Sequence, residues 1–344
     1  MHQPTSEPPR TLRVHEQGPE ALTHLRRNLA FGLVFAALFL PGSAVAYPWP
    51  IKPFDRPHPI RANFGDPRTV FFDQPPVSLD GPGLFSFHNG IDISAEGGTP
   101  VYPVTDGNAH FLSPTWLVVR TLHAEFRYIH IFPVVREGQR VFRSRTILGY
   151  VEASAGHLHF SELHGDAVNP LRRGHLEPYV DHVKPTVTEL ILRTSDGQTL
   201  APEAVCGTFS ILATAQDATA LPVPGTWAGL DVAPTIVSWS LRAPDGRMIV
   251  RPRIVANFLK PLPAAAKFWA VYARGTFQNS ARFGRTQLLR LQGRFLFALA
   301  RDFDSRQFAN GSYVLNVDAQ DARGNHGTLS ETLTVANGSA TCDR

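Results

Sequence analysis

The sequence predicts an all-β protein made of two sheet-rich domains, and three observations carry that expectation. Apolar runs are strand-length and are punctuated by Gly, Pro and Asp. No stretch sustains a 3.6-residue apolar period for long. Late segments such as 313–319 alternate apolar with polar side chains, as a half-buried strand does. At 344 residues the chain exceeds one small module, so two globular domains are expected. With 43% hydrophobic and 18% charged residues it can bury a real core, which excludes disorder for most of its length. A net charge of +4 is too small over this length to argue for nucleic acid, and the single long apolar run excludes a polytopic transporter.

The N-terminus reads as an export signal over residues 1–46. Arg26-Arg27 precede an apolar run from Leu29 to Leu40, a Pro41-Gly42 breaker follows, and Ala44-Val45-Ala46 supplies the small residues of a cleavage site after Ala46. Twelve apolar residues rise about 18 Å as a helix, short of the ~30 Å hydrocarbon core, so no membrane span is expected after cleavage; an uncleaved anchor is the alternative. Export places the chain outside the cytoplasmic membrane, secreted or in the cell envelope. In that compartment the only two cysteines, Cys206 and Cys342, are expected to pair.

A proline-rich lead-in covers 47–59, and a first domain is expected over 60–184. Strand-length runs there are 116–120, 126–132, 146–151 and 157–163. Nine of the fourteen histidines lie between His88 and His182. Beyond Pro185 histidines almost vanish, and the charge balance moves from net −1 over 47–184 to +4 over 185–344. Strands are expected at 186–192, 208–213 and 235–241, and at 313–319 and 328–335 around a turn at 321–325. Short strands with regular turns suggest an immunoglobulin-like β-sandwich over 185–344, with an insertion at about 252–290.

Four segments carry the chemistry: Phe64-Gly65, His88-Asn89-Gly90-Ile91-Asp92, Tyr128-Ile129-His130 and His157-Leu158-His159. On a strand, residues i and i+2 share a face, so His157 and His159 project together, and Tyr128 is expected beside His130. Two histidines and a carboxylate are a common ligand set for a catalytic zinc with one position open. No HExxH pair occurs, which excludes the helix-borne type of metalloprotease. Each histidine taken alone is more often a hydrogen-bonded or half-exposed side chain; the joint pattern within 72 residues raises the odds.

Residues of about 60–170 resemble the lysostaphin/LytM-like zinc endopeptidases, which cleave peptide bonds in bacterial peptidoglycan. The resemblance runs in order through Phe64-Gly65, His88-Asn89-Gly90-Ile91-Asp92-Ile93, Gly98-Thr99-Pro100-Val101 and Asp106-Gly107. It continues through Tyr128-Ile129-His130, Gly138-Gln139-Arg140-Val141, Ile147-Leu148-Gly149-Tyr150 and Gly156-His157-Leu158-His159-Phe160. It implies an antiparallel β-sheet peptidase domain, Zn2+ held by His88, Asp92 and His159, and His157 and His130 as non-ligand catalytic histidines. His157 would be the general base and His130 the oxyanion donor. The implied substrate is a peptidoglycan peptide. The rival is a catalytically silent module that binds wall peptides or activates another hydrolase; a third reading makes the C-terminal region an adhesion or scaffolding module.

The chain departs from that family in the loops. His110 and His123 stand in a hairpin where glycines are expected, Ser144 replaces a glycine, and Val151–Ala155 is short. His164, His175 and His182 have no counterpart and are expected at the surface, as is the cluster Arg136, Arg140, Arg143 and Arg145.

Overall fold

The computed structural model describes residues 46–72, 81–284, 286–287 and 291–338. The export-signal expectation therefore lies, but for Ala46, outside the described residues. No described helix is long and apolar enough to cross a membrane.

The chain is all-β. Its first strands are β1 (Ile60–Ala62), β2 (Pro67–Phe71), β3 (Gly83–Phe87), β4 (Ile91–Ser94) and β5 (Pro100–Val101). Then come β6 (Gly107–Ser113), β7 (Trp116–Arg120), β8 (Glu125–Ile129), β9 (Ile131–Pro133) and β10 (Arg140–Val141). β11 (Gly149–Val151), β12 (His157–His164) and β13 (Asp166–Val168) complete the first half. The main sheet has the order β1-β4-β12-β8-β7-β6-β10, with β13 beside β12. A three-stranded sheet, β5-β11-β9, lies off it.

β12 sits between β4 and β8 and is buried from His157 through Leu163. Its period of two divides the work. Leu158 and Phe160 enter a core with Tyr47, Phe126 and Tyr128, while His157 and His159 line an open groove.

The run 126–132 is two strands rather than one. His130 has φ +66, a left-handed conformation unusual for a residue with a Cβ. There the chain leaves β8, paired with β12, and enters β9, paired with β11 in the other sheet. Tyr128 and His130 consequently do not share a face. The Tyr128 hydroxyl is buried and accepts a hydrogen bond from the Val104 amide, and His130 lines the groove. Ser144 has φ +55, the left-handed position its glycine-like place in the sequence demands.

The second half contains β14 (Thr186–Arg193), β15 (Thr199–Leu200), β16 (Thr208–Gln216), β17 (Ile236–Arg242) and β18 (Met248–Asn257). Then come α1 (Phe268–Val271), β19 (Arg282–Phe283), β20 (Thr286–Gln287), β21 (Leu296–Asp304), β22 (Gly311–Gln320) and β23 (His326–Val335). Two four-stranded sheets, β15-β14-β16-β21 and β18-β17-β22-β23, face each other through Phe209, Ile211, Trp239, Leu315 and Val317. The expected turn at 321–325 is present, with Asp321 accepting hydrogen bonds from the amides of Arg323, Gly324 and Asn325. Cys206 is disulfide-bonded; Cys342 lies outside the described residues.

The stretch after β18 folds back onto the first half. β19 pairs with β2 in parallel, so β20-β19-β2-β3 is a sheet drawn from both ends of the chain. Phe268 and Trp269 pack on Phe85, and Tyr272 packs among Phe87, Phe258 and Phe297. The Tyr272 hydroxyl donates to the Gly65 carbonyl at 2.9 Å. Gly65 has φ +93, and a Cβ there would come within 2.3 Å of Phe258, so only glycine fits this turn.

Candidate metal centre

His88 follows β3, Asp92 lies in β4 and His159 in β12. Antiparallel pairing of β4 with β12 sets Asp92 directly opposite His159. Gly90 lets the two strands close: a Cβ there would lie 2.4 Å from the Phe160 carbonyl oxygen. The three side chains are buried, and each offers a ligand atom within 4.8 Å of the others. His88 Nε2 is 2.8 Å from His159 Nδ1 and 3.1 Å from Asp92 Oδ1, and His159 Nδ1 is 3.0 Å from that same oxygen.

The outer nitrogens of both rings are already engaged. His88 Nδ1 donates to the Asn63 carbonyl at 2.8 Å, and His159 Nε2 meets the Ser161 hydroxyl at 2.9 Å. With N–H on those outer atoms, two imidazole lone pairs and a carboxylate oxygen converge on one point. Such convergence is repulsive unless a proton or a cation fills it, and two nitrogens with one oxygen suit Zn2+. The residues therefore fit the metal. Burial, reinforced by Arg68, pushes His88 down to about 3, so its ring stays neutral and competent as a ligand. Burial works against the charge of Asp92, yet the surrounding imidazoles hold its carboxylate well below the usual range. Its second oxygen accepts from Arg68 Nη2 at 3.1 Å.

His157 and His130 border this point, their rings 4.6 Å apart. His157 Nδ1 donates to the Ala155 carbonyl at 2.8 Å, which leaves Nε2 as the acceptor, 3.6 Å from Asp92 Oδ1. Burial lowers its pKa to about 4 and lowers that of His130 too. His130 Nδ1 is 3.7 Å from Glu152.

The groove around these residues has a volume of about 880 Å3. Its walls include parts that the sequence pattern did not mark. Arg61 donates to His157 Nε2 at 3.3 Å and stacks 4.1 Å above the Trp227 ring. Gln278, Asn279, Ser280 and Arg282 come from the fold-back after β18. Gln278 is fixed there by reciprocal bonds with Thr69, at 2.9 and 3.2 Å. Ser154 and Ala155, in the short segment before His157, form another edge.

Of the remaining histidines, His110 pairs with Glu137 at 2.6 Å, and His123, His164 and His182 are exposed, as are Arg136, Arg140, Arg143 and Arg145. His175 is a correction: it is buried. Glu162 falls on the core-facing side of β12, and burying a carboxylate requires partners. Tyr47, His164 and His175 supply them. Arg172 donates to His175 Nε2 at 2.9 Å, so Nδ1 carries the proton given to Glu162. That ring has no lone pair left for a metal, and the cluster is a structural clamp.

No family model matches the chain, and no curated protein matches it. Among solved structures, Helicobacter pylori Csd3 matches 40% of this chain at 21% identity and a TM-score of 0.30, over 36% of its own length. A zinc containing peptidase from Vibrio cholerae matches 36% at 26% identity and a TM-score of 0.28, over 39% of its length. The catalytic domain of the prophage-encoded M23 protein EnpA from Enterococcus faecalis matches 32% at 20% identity and a TM-score of 0.24, over 92% of its length. The chain thus spans little more than a third of the first two structures, and each likeness is local.

Proposed function

We propose that this chain is an exported, zinc-dependent endopeptidase that hydrolyses peptide bonds of peptidoglycan. The observation that carries this reading is the convergence of His88, Asp92 and His159 on one point at the floor of an open groove, with two further histidines beside it. His88 Nε2, His159 Nδ1 and an Asp92 oxygen would hold the metal. Bound Zn2+ supplies Lewis acidity, polarising a carbonyl and bringing the pKa of water towards ~7.

The chain's own residues supply the rest. The Ala155 carbonyl fixes the His157 tautomer, so Nε2 can take a proton from water and return it to the leaving amine. To do so Nε2 exchanges the Arg61 donor for the water's. A buried, neutral imidazole is suited to that exchange, and the Trp227 ring, on which the guanidinium is already stacked, holds Arg61 when the bond is given up. His130, half-exposed in the groove and braced towards Glu152, is placed to donate a hydrogen bond to a developing oxyanion. The fold-back after β18 supplies one wall of the groove through Gln278, Asn279, Ser280 and Arg282. An immunoglobulin-like assignment for the two-sheet half, and export through residues 1–46, belong to the same proposal.

The test is release of new amines from purified peptidoglycan by the zinc-loaded protein and by His157→Ala. Turnover by the first, with zinc retained but turnover lost in the second, is expected. Zinc retained by both proteins with no turnover by either would favour the silent module that binds wall peptides.

A further inference from the structure

Outside the groove, three carboxylates from distant parts of the chain converge. Asp181 lies in the link between the two halves, Asp217 directly follows β16, and Asp321 opens the β22–β23 turn. Each offers an oxygen within 4.8 Å of those of the other two; Asp217 and Asp321 are almost wholly buried, and Asp181 is less completely so. Their hydrogen bonds are unequal. Asp321 Oδ1 accepts three backbone amides, and Oδ2 accepts the Asn325 side-chain amide at 2.6 Å. Asp181 accepts from the Val183 amide and from the Tyr179 hydroxyl, each at 2.9 Å. Asp217, only 2% exposed, has an Oδ1 with no hydrogen-bond partner among the described residues. A cavity of about 10 Å3, lined by Asp181 and Asp217, adjoins them. That is room for one water-sized body.

An unpartnered buried carboxylate oxygen facing two more carboxylates is costly; a water can fill its lone pairs, but only a proton or a cation offsets the clustered negative charge. The nearby Arg323 guanidinium bonds to Glu177 at 3.0 Å and lies over the face of Tyr179, and it makes no hydrogen bond to the three carboxylates among the described residues. We infer that Asp181, Asp217 and Asp321 form a Ca2+ site that ties the link between the halves to the end of β16 and the β22–β23 turn. The donors are all oxygen, with no imidazole or thiolate among them, which selects a hard cation over zinc. Asp217 offers its free lone pairs; Asp181 and Asp321 Oδ2 each keep one beyond their hydrogen bonds. Burial, together with Asp181 and Asp321, pushes Asp217 up to about 9.

Tb3+ is the direct probe, because Tyr179 bonds to Asp181 and can sensitise its emission. The full chain would be stripped of metal, reloaded with one equivalent of zinc and titrated with Tb3+. Saturable emission displaced by Ca2+ is expected, with at least a tenfold loss in Asp217→Asn and none in His88→Ala. Thermal unfolding provides a second readout: Ca2+ should raise the Tm of the parent protein and leave that of Asp217→Asn and Asp181→Asn unchanged. Emission insensitive to Asp217→Asn would overturn the proposal. So would a parent Tm indifferent to Ca2+ alongside a raised Tm for Asp217→Asn, which would mean that a proton alone settles the cluster.

Discussion

The Tyr272 hydroxyl is the test of how the second half supports the metal centre. It donates to the Gly65 carbonyl, while the Gly65 amide donates to the carbonyl of His88 at 2.8 Å. One buried turn therefore links the fold-back after β18 to His88, a proposed metal ligand. Tyr272→Phe keeps the ring among Phe87, Phe268 and Phe297 and removes only the oxygen. The Gly65 carbonyl is left without this buried donor, a loss of about 1–3 kcal/mol. At roughly 2–4 °C per kcal/mol for a chain of this size or somewhat smaller, Tm should fall by about 2–12 °C. Tyr272→Ala also deletes a fully buried ring and should cost about 3–5 kcal/mol or more. Unfolding of the zinc-loaded proteins by heat and by denaturant, with zinc affinity measured in parallel, gives both readouts. The account expects Tyr272→Phe to lose stability and some zinc affinity together. If Tyr272→Phe matches the parent within about 1 °C and Tyr272→Ala is equally mild, the fold-back is a passenger and the reasoning fails.

Three other outcomes follow from the same geometry. His157→Ala should retain zinc and lower turnover by about 10²–10⁴, the usual range for a general base; a loss of zinc would make His157 a ligand instead. Trp227→Ala should lower kcat about fivefold with KM little changed, since it removes the surface that holds Arg61 while His157 Nε2 takes up the water's proton, a contact of about 1 kcal/mol. Asp66 is buried, which pushes it up to about 7, against an ordinary value of 3.8 in the unfolded chain. Between those values the folded protein holds a proton that the unfolded chain has released, so this group makes stability fall as pH rises from about 4 to about 7 and adds no slope above that. Asp66→Asn should flatten that part of a Tm-against-pH curve even if it lowers Tm overall by depriving the Asn63 amide of its acceptor. An unchanged slope would show that Asp66 is ionised in the folded state.

The part of the site legible in the sequence was its local part. The i, i+2 rule placed His157 and His159 on one face because β12 is a regular central strand; the close approach of Gly90 to Phe160 emerged only from the structure. The same rule failed at Tyr128 and His130, where the left-handed backbone of His130 breaks the period. Strand-length runs anticipated β7, β12, β14 and β16 closely, since alternation and β-branched content are local properties. Arg61, Trp227 and Gln278 were not legible as groove residues. Arg61 and Trp227 are separated by 166 positions, and nothing near either one codes for the stacking that joins them. The burial of His175 was missed for a similar reason, although a signal existed. Glu162 stands at a core position of an otherwise apolar face, and a carboxylate there requires hydrogen-bond donors from elsewhere in the fold.

The central claim is that His88, Asp92 and His159 hold one zinc. Metal analysis of the purified parent chain and of His159→Ala, both confirmed folded by circular dichroism, tests it most directly. The account predicts one zinc per chain in the parent and less than about a tenth of that in the variant, because removing one of only three protein ligands leaves too few to retain the ion. A folded parent that takes up no zinc, or a variant that holds as much as the parent, would contradict it.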